Sequence, residues 1–397
     1  MVAGEVASGF EPIREAFEKA QATDEGGAQL AVYRHGRLVV DLWTGSDPIG
    51  GRPFTGDSMT ILMSVSKGLV ATCANLLRER GILDVDAPVA RYWPEFAAAG
   101  KDRITVAHLL SHRAGLSEFD PDAGIIDFLD WDRCVTSLAE MAPLWEPAAY
   151  FRYHPLTHGY LIGEVIRRAT GVTVGRFFAT EIAEPLGLDL GIGLHESEEH
   201  RFVPQFTRTP APTAAEITAQ FTEAGVDATT RLARAVTNSV LTLNKSMGDL
   251  NARPAHAVEL PAVNGIGNAR SLARMYAATI GDVDGVRLLR PDTVDRATVQ
   301  LNDGLGAPPP MDLLPDNSPM RAALGWELSR GMTPMLGEGS FGHAGAGGRI
   351  GFAHPSLGVA VGYVCTNMAW DTTAGADPRW VPWTAALLEC TQHDVLS

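Results

Sequence analysis

The chain has 397 residues, 45% hydrophobic and 20% charged, enough to bury one large core or two closely joined ones. A formal net charge of −15 argues against nucleic acid or an anionic membrane as a partner, since both favour basic faces. No apolar run is long enough to span a bilayer, and the four cysteines (Cys73, Cys134, Cys365, Cys390) lie far apart with no CxxC spacing.

The opening segment, MVAGEVASGFEPIREAFEKAQ, reads as an amphipathic helix with Phe10, Ile13 and Phe17 along one face. It has no apolar signal core, so a cytoplasmic protein with reduced thiols is expected. In AQLAVYRHGRLVVDLWTG two β-rich runs flank His35-Gly36, which predicts a hairpin. Asp57 and Ser58 are expected to cap a helix that carries MSVSKG, with Val70, Cys73, Leu76 and Leu77 at helical spacing and a stop near Gly81. From about 82 to 285 the periodicity is mostly helical, clearest in HGYLIGEVIRRATG, SVLTLNKSMGDL and NARSLARMYAATIG. Near the end, GRIGFAHPSLGVAVGYVCTNM predicts a second hairpin and VPWTAALLECTQHDVL a closing helix. Strands at both chain ends without βα alternation predict an α+β fold: an antiparallel sheet flanked by helices. Residues 1–80 and 285–397 would form this discontinuous sheet domain, and 81–284 a mainly helical subdomain inserted into it.

Only four lysines stand against twenty-eight arginines, so Lys67, inside an apolar run, asks for a reason that arginine would not satisfy. Ser64 precedes it by three residues, which puts hydroxyl and amine on one helix face. A serine hydroxyl becomes a good nucleophile when a neighbouring base takes its proton. A buried lysine can be that base, because desolvation favours its neutral amine, whereas arginine stays charged. A helix N-terminus would add positive potential for an oxyanion. The competing account is a lysine snorkelling from a helix edge beside a packing serine.

Three segments, SVSK at 64–67, WEPAAYFRYHPLTHGYLIGEVIRRATG at 145–171 and FGHAGAGGRIGF at 341–352, come in the order of the motifs of serine β-lactamases and penicillin-binding proteins. With LLSHRAGL and NGIGNARSLARMYAA, the chain most resembles the family VIII carboxylesterases, which have a class C β-lactamase-like fold. The resemblance spans nearly the whole chain. It implies that Tyr153 is the motif tyrosine, with Tyr150 as rival, and that Tyr153 and Lys67 form the proton-transfer pair of Ser64. His343-Ala344-Gly345 stands where the family has Lys-Thr-Gly beside the nucleophile, and would contact substrate; His343 would orient a substrate carbonyl or Tyr153, or cap the strand. The backbone N–H groups of Ser64 and Ala346 would form the oxyanion hole. Pro155 replaces the asparagine that holds the amide of a lactam, and His343 replaces a carboxylate-binding lysine. Both changes point from lactam to ester. The resemblance thus implies a serine esterase for small to medium carboxylic esters, acting through an acyl-serine, with no cofactor or metal and a small-molecule ester as its only expected partner.

Other readings compete. A β-lactamase- or DD-peptidase-type amidase, an acyltransferase, and a non-catalytic binding module of the same fold use a similar frame. An α/β-hydrolase would need GxSxG, and EGSFG at 338–342 has Glu338 at the first glycine. The pairs His108/His112 and His154/His158 have helical metal-ligand spacing but lack the glutamate of HExxH. Glu198-Glu199 reads as solvated surface. Loops at 119–130, 203–225 and 306–319 are expected to shape the pocket.

Overall fold

In the computed structural model, residues 1–393 are described except 124, 125, 211 and 317, and the side chains of 243–249 and 392–393 are left out. Parts of the three pocket loops, and the end of the closing helical run, therefore lie outside the described residues. The strands in chain order are β1 (Ala3–Val6), β2 (Ala28–Arg34), β3 (Arg37–Thr44), β4 (Thr60–Ile61), β5 (Leu190–Ile192), β6 (Gly265–Gly267), β7 (Arg321–Ala322), β8 (Glu327–Leu328), β9 (Phe341–Gly345), β10 (Arg349–His354) and β11 (Val359–Cys365).

His35 and Gly36 both take positive φ, 47° and 77°, the backbone of a two-residue hairpin whose twist matches its strands. This β2–β3 hairpin pairs with β11 of the second predicted hairpin. Among the described residues the result is an eight-stranded antiparallel sheet, ordered β1-β3-β2-β11-β10-β9-β8-β7. Both ends of the chain thus build one sheet. A separate three-stranded sheet, β4-β6-β5, sits under the MSVSKG turn.

The central strands are buried on both faces, and period-two alternation assigns their side chains. Val359, Val361 and Tyr363 of β11 pack with Ile13, Phe17, Trp383 and Leu387 of the terminal helices Glu11–Gln21 and Val381–His393. Burying Ile13 and Phe17 stabilises by roughly 1.5–3 kcal/mol each. Ala360 and Val364 join the core on the other face, where the helix Ala269–Ile280 lies. A Cβ at Gly362 would sit 2.3 Å from the Ala269 carbonyl oxygen, so this helix rests on bare sheet backbone.

Two local expectations need correction. The opening segment is not one helix: Ala3–Val6 pairs with β3, and the helix begins only at Glu11, with Pro12 in its first turn. Gly4 and Gly9 hold φ of 102° and 92°, which ends helical geometry before Phe10. Asp57 and Ser58 cap no helix. The chain inserts β4 and a 3-10 turn, Met63–Val65, before the helix Ser66–Glu79, and the Ser58 hydroxyl accepts from the Thr55 N–H instead (2.9 Å). The predicted helices Thr157–Thr170, Arg231–Asp249 and Ala269–Ile280 form, the first ending on Gly171 at φ 79°. All four cysteines are buried and unpaired with one another, and no helix among the described residues is long and apolar enough to cross a membrane.

Gly362→Val should push the helix Ala269–Ile280 off the sheet and destabilise the protein by about 1–3 kcal/mol. Thermal unfolding followed by circular dichroism should register this as a midpoint lower by several degrees; an unchanged midpoint would show that the helix is not seated as described.

Candidate active site

Ser64 occupies the 3-10 turn that precedes the helix Ser66–Glu79. Met63 before it has φ 52°, a left-handed conformation that a non-glycine residue holds only when its surroundings enforce it. The enforcement is visible. The Ser66 hydroxyl donates to the Met63 carbonyl (2.5 Å) and accepts from the Gly265 N–H (2.7 Å), while the Leu62 N–H donates to the Gly265 carbonyl (2.8 Å). From the other side β9 presses on the turn at Gly345, where a Cβ would meet the Leu62 oxygen at 2.5 Å. Gly345 is therefore required by the fit of strand against turn, not only by the approach of substrate. Ser64 is left half-buried in a cleft of about 740 Å³, shared with Tyr153, Pro155, Glu327, His343 and Ala346.

Lys67 is fully buried, with Nζ 3.2 Å from Ser64 Oγ. Nζ donates to the carbonyls of Pro155 (2.8 Å) and Ala262 (3.1 Å), and no carboxylate pairs with it among the described residues. Burial without a counter-ion pushes its pKa well below the ordinary lysine range. A neutral amine has two N–H donors and one lone pair. With both donors turned to carbonyls, the lone pair is left for the Ser64 hydroxyl. Lys101 is an internal comparison: its ammonium is held by the carbonyls of Ala98, Ala139 and Met141, and a less complete desolvation lowers its pKa only to about 8. Pro155 supplies no side-chain donor, as its residue type requires, yet its carbonyl is one of the two acceptors of Lys67.

Tyr153 is half-buried beside this pair. Lys67 Nζ stands 4.9 Å from its ring centroid. Burial drives the phenol's pKa up, and a hydrogen bond with Ser64 draws it partly back, so the group keeps its proton at neutral pH. Tyr150 lies elsewhere, against the apolar cluster of Trp145, Ile217 and Phe221. Of the two tyrosines, only Tyr153 meets Ser64.

His343 lies on β9, buried, with its ring 6.1 Å from that of Tyr153. Its Nδ1 is 2.6 Å from the Ala344 carbonyl, which can only accept, so Nδ1 carries the proton and Nε2 presents a lone pair. Nε2 has no hydrogen-bond partner. Burial holds the pKa at about 4 despite the nearby Glu327, and the imidazole is neutral where the related motif has a cation. Ala344 points its side chain into the terminal-helix core. Behind Tyr153 lie three more buried imidazoles: His112 contacts Tyr153 (4.8 Å between ring centroids), His158 (4.6 Å) and His154 (5.4 Å). His112, at φ 59°, stands past the end of the helix Val106–Leu110, and His154 precedes the helix Thr157–Thr170. Neither sequence pair is thus a helical i,i+4 pair.

Glu327 and Arg330 escaped the sequence reading. Glu327 is buried on β8 opposite Gly342; it accepts from Arg330 Nε (2.7 Å), the Thr333 hydroxyl (2.7 Å) and the Ala344 N–H (3.3 Å). Burial raises its pKa, but Arg330, His343 and Thr333 outweigh that and leave it lowered. The Glu-x-x-Arg spacing was the only local signal, and it acquires meaning only once β8 is placed against β9.

The chain matches the Beta-lactamase family over residues 13–382. It is 35% identical over 372 residues to Esterase/beta-lactamase LipL of Mycobacterium tuberculosis, an alignment covering 85% of this chain and 76% of that protein. The structure of a family VIII carboxylesterase superposes with a TM-score of 0.83 at 31% identity, covering 98% of this chain and 100% of the other. A penicillin-binding protein homologue from Caulobacter crescentus gives 0.79 at 33% identity, covering 98% and 100%. The sheet and its helices are the serine β-lactamase-like α+β fold that the motif order implied.

The imidazole cluster makes stability depend on pH. His343 and His154 are held at about 4 and about 3 by burial, against about 6.5 in an unfolded chain. Between those values the unfolded state binds protons that the native state refuses, so these imidazoles withdraw stability as pH drops from about 6.5 towards 4, while Glu118, pushed up to about 7 by burial, acts in the opposite direction. Urea midpoints of a Glu118→Gln variant at pH 7.5 and pH 5 should isolate the loss, on the order of 1–2 kcal/mol from His343 alone; identical midpoints in that folded variant would mean that the imidazoles are protonated in the native protein.

Proposed function

This chain belongs to the Beta-lactamase family and is a serine hydrolase of the ester-cleaving kind, and we propose that Ser64 is the nucleophile with which it cleaves small to medium carboxylic esters. One observation carries the assignment: a fully buried amine without a counter-ion, Lys67 Nζ, 3.2 Å from the hydroxyl it would deprotonate.

In the first half-reaction Ser64 Oγ attacks the ester carbonyl carbon while its proton passes to Lys67 Nζ. The carbonyl oxygen becomes an oxyanion between the N–H groups of Ser64 and Ala346, where each well-placed donor typically stabilises the transition state by about 3–4 kcal/mol. The C–O bond to the alcohol breaks as Tyr153 gives its phenolic proton to the leaving oxygen, and Lys67 returns a proton to Tyr153. Because the phenol is protonated at rest, Lys67 is the base and Tyr153 the acid. Water then gives a proton to Lys67 as it attacks acyl-Ser64, the bond from the acyl carbon to Ser64 Oγ breaks, Lys67 returns the proton to Oγ, and the carboxylic acid leaves. No step calls for a cofactor. Residues 1–80 and 285–397 supply Ser64, Lys67 and the Gly345 strand in this scheme, and the 81–284 part supplies Tyr153.

Selection of ester over lactam rests on two groups. Pro155 offers no donor for a substrate amide, and the neutral His343 offers no cation for a lactam carboxylate. Its buried, unpartnered Nε2 is instead an acceptor for a hydrogen bond from a water or a substrate hydroxyl. The four buried cysteines, none of them in a disulfide, support a reducing compartment, the cytoplasm.

Ser64→Ala should abolish both turnover of a chromogenic short-chain ester and fluorophosphonate labelling while keeping the unfolding midpoint. Lys67→Arg keeps the charge but removes the base, and should lower kcat by roughly 10²- to 10⁴-fold, as should Tyr153→Phe. A Lys67→Arg enzyme with near-wild-type kcat would remove lysine from the mechanism. The pH profile of kcat/KM should rise with the deprotonation of Lys67, on a limb centred far below the ordinary lysine value of about 10.4. A chromogenic cephalosporin assayed in parallel should turn over much more slowly than the ester.

A further inference from the structure

Arg349 is fully buried at the start of β10, and among the described residues no carboxylate forms an ion pair with it. A guanidinium taken out of water without a counter-ion is strongly unfavourable, and an apolar side chain of similar size would often be as stable. Its contacts show what it does there. One Nη donates to the Ala346 carbonyl (2.8 Å), the other to Gln205 Oε1 (3.0 Å). The Ala346 carbonyl belongs to the β9–β10 turn; Ala346 lines the cleft with Ser64, and its N–H is an oxyanion donor in the scheme above.

That turn is held carbonyl by carbonyl. The Gly345 oxygen accepts from the Gly348 N–H (3.1 Å), the Ala346 oxygen from Arg349, the Gly347 oxygen from Arg379 Nη2 (2.6 Å) and the Gly348 oxygen from Trp380 Nε1 (2.8 Å). In a trans peptide the C=O and N–H point in opposite directions. With the Gly345 oxygen tied into the turn, the Ala346 N–H of the same peptide is directed outwards, and the next three planes cannot rotate to release it. None of the three side chains lines the cleft. Arg379 is itself fixed by Asp377 (2.6 Å) and Asp24 (2.9 Å). The two guanidiniums also explain the glycines, because a Cβ at Gly347 would lie 2.3 Å from Arg349 Nη1 and one at Gly348 2.2 Å from Arg379 Nη2.

We infer that Arg349, with Trp380, is a positioning residue that aims the Ala346 N–H at the oxyanion. This rests on the ester-cleaving reading of Ser64 given above. A misaimed donor weakens the transition state more than the ground state. Arg349→Met removes the hold on Ala346 without leaving a buried charge behind, and Trp380→Phe removes the hold on Gly348 while keeping a ring. Each variant should lower kcat roughly 10- to 100-fold with little change in KM. Affinity for an alkyl boronic acid, which becomes tetrahedral on the serine oxygen, should fall in parallel, and Arg349→Lys should recover part of both. The unfolding midpoint, recorded for every variant, identifies any that fails to fold, and Trp380→Phe then serves as the test. Boronate affinity unchanged in a folded variant would overturn the inference, whatever happens to the rate. If the unaltered protein binds no boronate and takes no fluorophosphonate at Ser64, the ester-cleaving reading fails first and this inference with it.

Discussion

The protein is organised around an amine that has been taken out of water without a counter-charge. Lys67 could be kept protonated there only at a large desolvation penalty, and the fold supplies two carbonyls rather than a carboxylate. Everything packed behind Tyr153 respects that choice. The surrounding His112, His154, His158 and His343 are all pushed towards their neutral forms, primarily by burial, and the buried carboxylate of the cleft, Glu327, is paired with Arg330, so their opposite effects on Tyr153 partly cancel. Lys101 marks the contrast: less completely desolvated, it is lowered only to about 8 and gives its three N–H groups to three carbonyls.

Distances at the site are set by backbone meeting backbone. At Gly345 the strand touches the Leu62 carbonyl, and at Gly362 the helix Ala269–Ile280 touches the sheet. A Cβ at Gly68, one residue after the lysine, would lie 2.1 Å from the Tyr276 hydroxyl of that same helix. Strand meets serine turn and helix meets sheet backbone to backbone, and the Tyr276 side chain is the spacer between that helix and Gly68. Such contacts yield less than side-chain packing would under thermal fluctuation, because peptide groups have no rotamers to exchange.

Much of this was legible where the determining physics is local. The His35-Gly36 hairpin, the helix stops at Gly81 and Gly171 and the Ser64–Lys67 juxtaposition follow from turn chemistry and helical spacing over a few residues. The choice of Tyr153 over Tyr150 came from the family resemblance, and the geometry separates them because Tyr150 turns towards Trp145. What stayed hidden depends on remote pairing. Strands of two residues, such as β4 and β8, have no period to detect, so the sequence predicts a capped helix start at the serine turn and carries no signal at Glu327. Pro155 read only as a lost donor, because the direction of a backbone carbonyl is not written in a residue type.

The contact at Gly345 divides the cleft into two walls of unequal freedom. On the strand side not even a methyl group can be added without moving the serine. On the opposite rim Leu314 and Met332 reach the same space outside the hydrogen bonds that hold Ser64 and Lys67, while Leu305 and Met320 share an apolar cluster with Tyr153. Directed evolution of the chain therefore has its widest room at Leu314 and Met332 on that far rim, while Gly345 on the strand wall is fixed by its fit to the serine turn.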